Sequence, residues 1–120
     1  MESNKTFFES NLKNPVIKFS GDRLSISGNS VDVRPESVFT PLINWLSDYS
    51  GQTLKIDINL TLINCSSVKL LLQAMVAADL NNNIKQRNIT WFFKDQDEME
   101  LGEMIFSNLN NSKFNFYCMN

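Results

Sequence analysis

The residues best suited to chemistry gather in one short segment, where Asn64, Cys65, Ser66 and Ser67 stand ahead of Val68 and Lys69. Two adjacent hydroxyls, a thiol and an amide in such a run can cap a helix, accept a phosphoryl group, or respond to oxidation. Ser66 and Ser67 are each suited to the N-cap, where a hydroxyl oxygen accepts a backbone N–H. The same helix start offers unpaired N–H groups and a potential that favours a phosphate, whether bound or covalently attached. Lys69 is near enough to pair with that phosphate or with an acidic group on a partner, and equally suited to remain in water.

A second cluster, Asp95, Asp97, Glu98, Glu100 and Glu103, has enough carboxylates to suggest Mg²⁺ binding or acid–base work. Its spacing is better explained as a solvated helix face whose negative charge suits the positive end of the helix dipole. It also suits docking of a basic partner. Histidine is absent, which removes Ser–His and Cys–His nucleophile pairs and the commonest general base. Cys65 and Cys118 lie too far apart for zinc-site spacing and are expected to be free thiols. Gly21, Gly28 and Gly51 read as turn residues with no glycine-rich nucleotide loop among them, and Arg23 and Arg34 are isolated. The expectation is a protein with no catalytic residues, no metal and no cofactor, acting through binding.

Bulk properties agree. The 120 residues fit one domain, and 42% hydrophobic with 20% charged residues is ordinary for a folded chain. A net charge of −2 and scattered basic residues argue against nucleic acid. No apolar run approaches the ~20 residues of a membrane-spanning helix, and the N-terminus lacks the apolar core of a signal peptide. A cytoplasmic location is the expectation.

The elements that must position the segment follow from periodicity. Residues 1–14 are polar apart from Phe7 and Phe8 and read as an N-terminal arm that packs only partly; residues 15–120 form the domain. Residues 16–19 and 24–27 read as a hairpin joined through Gly21 and Asp22. Val38, Phe39, Leu42, Ile43, Trp45 and Leu46 have helical spacing, with Pro41 in the first turns and Gly51 as the stop. Residues 53–62 are the clearest strand, with Leu54, Ile56, Ile58, Leu60 and Leu62 on one face. A helix from Val68 to about Leu80, a strand over 89–93, a helix holding Met99 to Leu109 and a strand over 114–118 complete the chain. Trp45 and Trp91 fall on apolar faces and are expected in the core. The order β-β-α-β-α-β-α-β implies an α/β fold, a mostly buried mixed sheet of about five strands covered by helices.

Three stretches in series carry a resemblance: RLSISGNS at 23–30, FTPLINWL at 39–46 and LINCSSVK at 62–69; ITWFF at 89–93, followed by the acidic run, is a fourth. The chain resembles the SiaC family of bacterial regulatory phosphoproteins, whose fold is like the STAS domains of anti-anti-sigma factors. The resemblance spans about residues 16–118. It implies a partner switch in biofilm or aggregation signalling. The unphosphorylated protein binds and activates a diguanylate cyclase, which makes cyclic di-GMP. A Ser/Thr-type protein kinase blocks that binding by phosphorylating a threonine in the loop, and a PP2C-type phosphatase restores it.

This chain departs from the pattern at the acceptor, because the family's threonine falls on Cys65. A thiol is not an acceptor for an ordinary Ser/Thr kinase, so Ser66 is the expected acceptor and Ser67 the second choice. Asn64, Ser66, Ser67 and Lys69 are the expected partner-binding residues. Two alternatives remain: a STAS-like module that binds protein or a small ligand without a phosphoswitch, or one whose binding is constitutive or thiol-sensitive at Cys65.

Overall fold

The computed structural model describes residues 4–8 and 12–119. Its elements run β1 (Asn4–Phe8), β2 (Val16–Ser20), β3 (Arg23–Ser30), α1 (Glu36–Asp48), β4 (Thr53–Ile63), α2 (Cys65–Leu80), β5 (Gln86–Phe93), α3 (Gln96–Phe106) and β6 (Lys113–Cys118). They form one mixed sheet in the order β1-β2-β3-β4-β5-β6. The first two pairings are antiparallel and the remaining three parallel.

The expected α/β architecture is present, with six strands among the described residues. The added strand comes from the segment read as an arm. Asn4 to Phe8 pair with β2, and the Phe7 ring meets Trp45 of α1 edge-on at 5.0 Å. Backbone pairing with β2 and the contact of Phe7 with Trp45 hold this segment against the sheet. Residues 1–3 and 9–11 of that arm lie outside the described residues.

The second difference is that the sheet is covered on one face only. From β3 to β6 the strands step in one direction, and crossovers of one hand place every connecting helix on the same side. That side holds the core: Ile17, Phe19, Leu24, Ile26, Leu54, Ile56, Ile58, Ile89 and Trp91 from the strands meet Val38, Phe39, Leu42, Leu46, Leu71, Met75 and Ile105 from the helices. The other face carries polar side chains, among them Lys18, Ser25, Lys55, Asp57 and Asn88. Arg23 pairs there with Asp57, and the Lys55 ammonium lies 3.9 Å from Asp22. An open groove beside the β2–β3 hairpin lies on this polar face, lined by residues that include Lys18, Asp22 and Arg23.

Pro41 sits deeper in its helix than its spacing suggested, as the sixth residue of α1, where its missing N–H leaves one intrahelical bond unmade. The apolar face of α1 keeps the helix in place, with Phe39, Leu42 and Leu46 fully buried. On α3, Gly102 lets the helix approach Trp91, whose indole Nε1 donates to the Glu98 carbonyl at 2.8 Å. A Cβ at Gly102 would stand 2.5 Å from Trp91 Cδ1. Overpacking a buried ring costs ~1–3 kcal/mol, whereas Gly to Ala in a helix gains up to about 1. Gly102→Ala is therefore expected to lose about 1 kcal/mol net, read as a lower denaturant midpoint with an unchanged slope.

Candidate functional site

The segment singled out by its chemistry forms the start of α2, directly after β4. Its local geometry begins at a break in the β3–β4 ladder: Gly28 pairs with Leu60, but Asn29 pairs with Leu62, so Thr61 is an extra residue. Gly28 has φ +107°, a conformation that other residues rarely adopt, just where the register shifts. Beyond the shift the alternation of β4 reverses. Leu62, expected on the buried face with Leu60, is 57% exposed, and Ile63 turns toward the core instead. One inserted residue moves every later side chain to the opposite face.

The helix then starts three residues earlier than its apolar periodicity indicates, and its N-cap is Asn64 rather than either serine. Asn64 Oδ1 accepts from the Ser67 amide at 2.9 Å, its Nδ2 donates to the Asp32 carbonyl at 2.9 Å, and its own amide donates to the Ser30 carbonyl at 3.0 Å. An amide side chain holds its acceptor and its donors on separate atoms, so Asn64 reaches both neighbours at once. Asn64 is thus chiefly an anchor, tying the helix start to the loop after β3.

This assignment separates the candidate residues. Cys65 and Ser66 occupy the first two helical positions and are exposed. Their amides precede the first helical bond, from Val68 N to the Asn64 carbonyl at 3.0 Å, and so lie in the turn where donors point out of the helix end. Lys69 is exposed one turn further on, within three to four residues of both, so it shares their face. Ser67 does not join them. It is fully buried, and its Oγ accepts from Ser30 Oγ at 2.7 Å. That burial corrects the expectation of Ser67 as a partner-binding residue or second phosphoacceptor: the hydroxyl cannot be reached without opening the packing under the helix.

Ser67→Ala would leave the buried Ser30 hydroxyl without this partner, costing about 1–3 kcal/mol. The Ser30→Ala, Ser67→Ala pair should cost less than the sum of the two single changes, since it removes both ends of the bond. Thermal melts of the three variants check this.

Asp32 borders the site. Its carboxylate accepts from the Arg34 amide at 3.1 Å and from Asn14 Nδ2 at 3.1 Å. The Arg34 amide bond first, then the Asn14 bond, hold its carboxyl below the usual range, so it stays ionised near neutral pH. Residues attached to this network include three of the most exposed apolar side chains: Leu62, two positions before Asn64, Val33, next to Asp32, at 81%, and Leu12, two positions before Asn14, at 89%. Sequence reasoning did not single them out. Leu62 was hidden by the ladder shift, and Leu12 and Val33 lie outside any periodic run. Exposed apolar side chains of this kind are what interfaces use at their centre, and Leu62 stands three positions before Cys65.

The carboxylate cluster plays a structural part at α3. Asp95 is the N-cap and accepts from the Glu98 amide at 2.9 Å, while Glu98 Oε1 accepts from the Lys94 amide at 2.6 Å. No group of three or more His, Cys, Asp or Glu able to hold a metal ion occurs among the described residues. No helix among the described residues is long and apolar enough to cross a membrane.

Comparison with known proteins places this geometry. The family described as SiaC family regulatory phosphoprotein matches residues 8–119. No curated protein matches the chain. Among solved structures, apo-SiaC from Pseudomonas aeruginosa superposes with a TM-score of 0.82 at 21% identity, covering 97% of this chain and 99% of that one. A structure of diguanylate cyclase SiaD in complex with its activator SiaC, from the same organism, matches with a TM-score of 0.78 at 21% identity, covering 92% of this chain and 96% of that one. These likenesses establish the shared fold, and the match along nearly the whole sequence establishes more: the chain belongs to the SiaC family of regulatory phosphoproteins.

Proposed function

We propose that the chain binds and activates a diguanylate cyclase in the cytoplasm without catalysing a reaction of its own, and that phosphorylation of Ser66 turns that binding off. The observation carrying this reading is the exposure of Ser66 at the second position of α2, with Lys69 exposed on the same face. The partners are a diguanylate cyclase, a Ser/Thr-type kinase and a PP2C-type phosphatase. Support for the cyclase comes from the relative solved with SiaD, a complex in which SiaC is the activator.

Physically the switch needs one charge change. A phosphate on Ser66 adds about −1.5 to −2 charge. In the free protein the helix N-terminus stabilises it, through unpaired amides and the dipole. Lys69 on the same face is a ready counter-charge. Against an apolar partner surface the same group would be desolvated without a matching partner, at a cost of several kcal/mol. Phosphorylation thus favours the free state and disfavours the complex.

The test is phosphopeptide mass spectrometry after incubation with the cognate kinase, on wild type and Ser66→Ala. A single phosphate on Ser66 that is absent from the variant and removed by the phosphatase is the expected result. Phosphate elsewhere, or none, would rule the assignment out. A second reading draws on the exposure of Cys65 at the first helical position: oxidation of that thiol places charge one residue away. Loss of cyclase binding after peroxide treatment in wild type, but not in Cys65→Ser, would favour it.

A further inference from the structure

Among the described residues, half of the exposed large apolar side chains gather around β6 at the edge of the sheet: Met104, Phe106, Phe116 and Tyr117. Phe106 packs on Phe114 at 4.8 Å and Phe114 on Phe116 at 5.1 Å, an aromatic strip along the helix-side face of the strand. On the other face Tyr117 lies 5.3 Å from Phe92. Among the described residues, β5 is the strand that pairs with β6. The Met119 amide donates to the Phe93 carbonyl at 2.7 Å, so the alternate residues Lys113, Asn115 and Tyr117 also point toward β5. Phe114 and Phe116 therefore direct their N–H and C=O groups outward, past the edge.

The two edges of the sheet are built differently. β1 carries Lys5 and a register irregularity between Thr6 and Phe8, features that discourage edge pairing. β6 has an unbroken register from Lys113 to Cys118, no proline, and one charge, at its first residue.

We propose that β6 pairs antiparallel with β6 of a second copy of this chain, about a twofold axis through Asn115, continuing the sheet across the dimer. The sequence is self-complementary in that register. Phe114 faces Phe116 of the other copy and exchanges both backbone hydrogen bonds with it, and Asn115 faces Asn115. Lys113 faces Tyr117, where a cation over aromatic rings is favourable. Charge selects the antiparallel direction. Lys113 marks one end of β6, while Cys118, at the other end, pairs with Phe93, after which Lys94, Asp95, Asp97 and Glu98 sum to a net negative charge. Antiparallel pairing sets the basic end of each copy against the acidic end of the other, and parallel pairing would align like ends. The two α3 helices then lie on the same face, with the Phe106 rings flanking a shared aromatic strip.

Sedimentation equilibrium of the 120-residue chain, diluted from millimolar to micromolar concentration, should show reversible association to twice the 13.8 kDa monomer mass. Phe116→Glu should raise the dissociation constant by about a hundredfold or more, two buried charges being introduced per dimer. Register is tested in a Cys65→Ser, Cys118→Ser background. Asn115→Cys should form a disulfide dimer on mild oxidation, because facing residues in an antiparallel pair bring their Cα atoms within bonding range of a disulfide. Lys5→Cys on the other edge should not. A monomer at every concentration overturns the proposal. So does cross-linking through Lys5→Cys as efficient as through Asn115→Cys, or protection of the β6 amides from exchange only when a cyclase is added. The disulfide assay keeps the register testable should Phe116→Glu fail to fold.

Discussion

An Asp79→Ala chain is expected to melt roughly 10–20 °C below the wild type, the largest of the stability effects argued from the fold. Asp79 is a buried residue in the last turn of α2, where the helix dipole disfavours a negative charge. It is kept there by three donors from the turn that leads into β6: the Asn110 amide at 3.0 Å, the Asn111 amide at 2.9 Å and Ser112 Oγ at 2.6 Å. Beside it the Arg87 guanidinium closes the helix end, donating from Nε to the Ala78 carbonyl at 2.7 Å and from Nη2 to the Asn81 carbonyl. Removing the carboxylate strands those donors and part of the arginine's counter-charge. Bonds to a charged acceptor are worth ~1.5–3 kcal/mol each and are not additive, so a total loss of about 3–5 is the expectation.

The pH dependence has a definite sign. Burial pushes the Asp79 carboxyl up, but the Ser112 hydroxyl, the Asn110 and Asn111 amides and the nearby Arg87 charge outweigh it, and the group ends below its ordinary value. The unfolded chain therefore binds this proton more readily. The stabilisation is fully present above the unfolded carboxylate value of ~3.9 and is lost as pH falls through the lower folded value. Melts of wild type and Asp79→Ala should stay separated from neutral pH down to about 5 and converge below about 4. A separation that persists in acid would mean that the loss comes from packing rather than from the carboxylate.

Stoichiometric phosphorylation of Ser66 is expected to weaken cyclase binding about a hundredfold, equivalent to near 3 kcal/mol. Ser66→Asp, with about half the charge and no tetrahedral oxygens, should lose about tenfold. Ser66→Ala should bind like the unmodified chain and be deaf to the kinase. Leu62→Asp supplies a complementary probe, since charge at this exposed position, three residues before Cys65, should weaken binding while leaving the melt nearly unchanged. Titration calorimetry with the purified cyclase reads all four. Equal affinity across the serine series would remove Ser66 from the switch and leave Cys65 as the residue to examine. Loss of binding in every variant, the alanine included, would instead mark Ser66 as a direct contact.

Much of this was legible in the chain itself. The alternation of residues 54–60 is set by a sheet with one buried face, and β4 follows it to Leu60. The apolar stripe of α1 and the acidic start of α3 declare their elements because propensity, dipole and burial agree there. The motif at 62–69 marked the junction of β4 and α2, since a strand end followed by small polar residues is a local signal.

Tertiary structure decided the rest, wherever two distant segments compete for one group. Asn64 outranks the serines as N-cap because the Asp32 and Ser30 carbonyls stand ready for its donors, and that loop lies more than thirty residues away in sequence. Ser67 is withdrawn from the surface by Ser30, across a separation of 37 residues. Leu62 is exposed because β4 gains a residue against β3, a property of the pair and of neither strand alone. β1 forms because β2 offers an edge, not because its own residues demand a strand. Local composition determines which residues can act; the pairing of remote backbone determines which of them face solvent, and so left Ser66 accessible and Ser67 sealed.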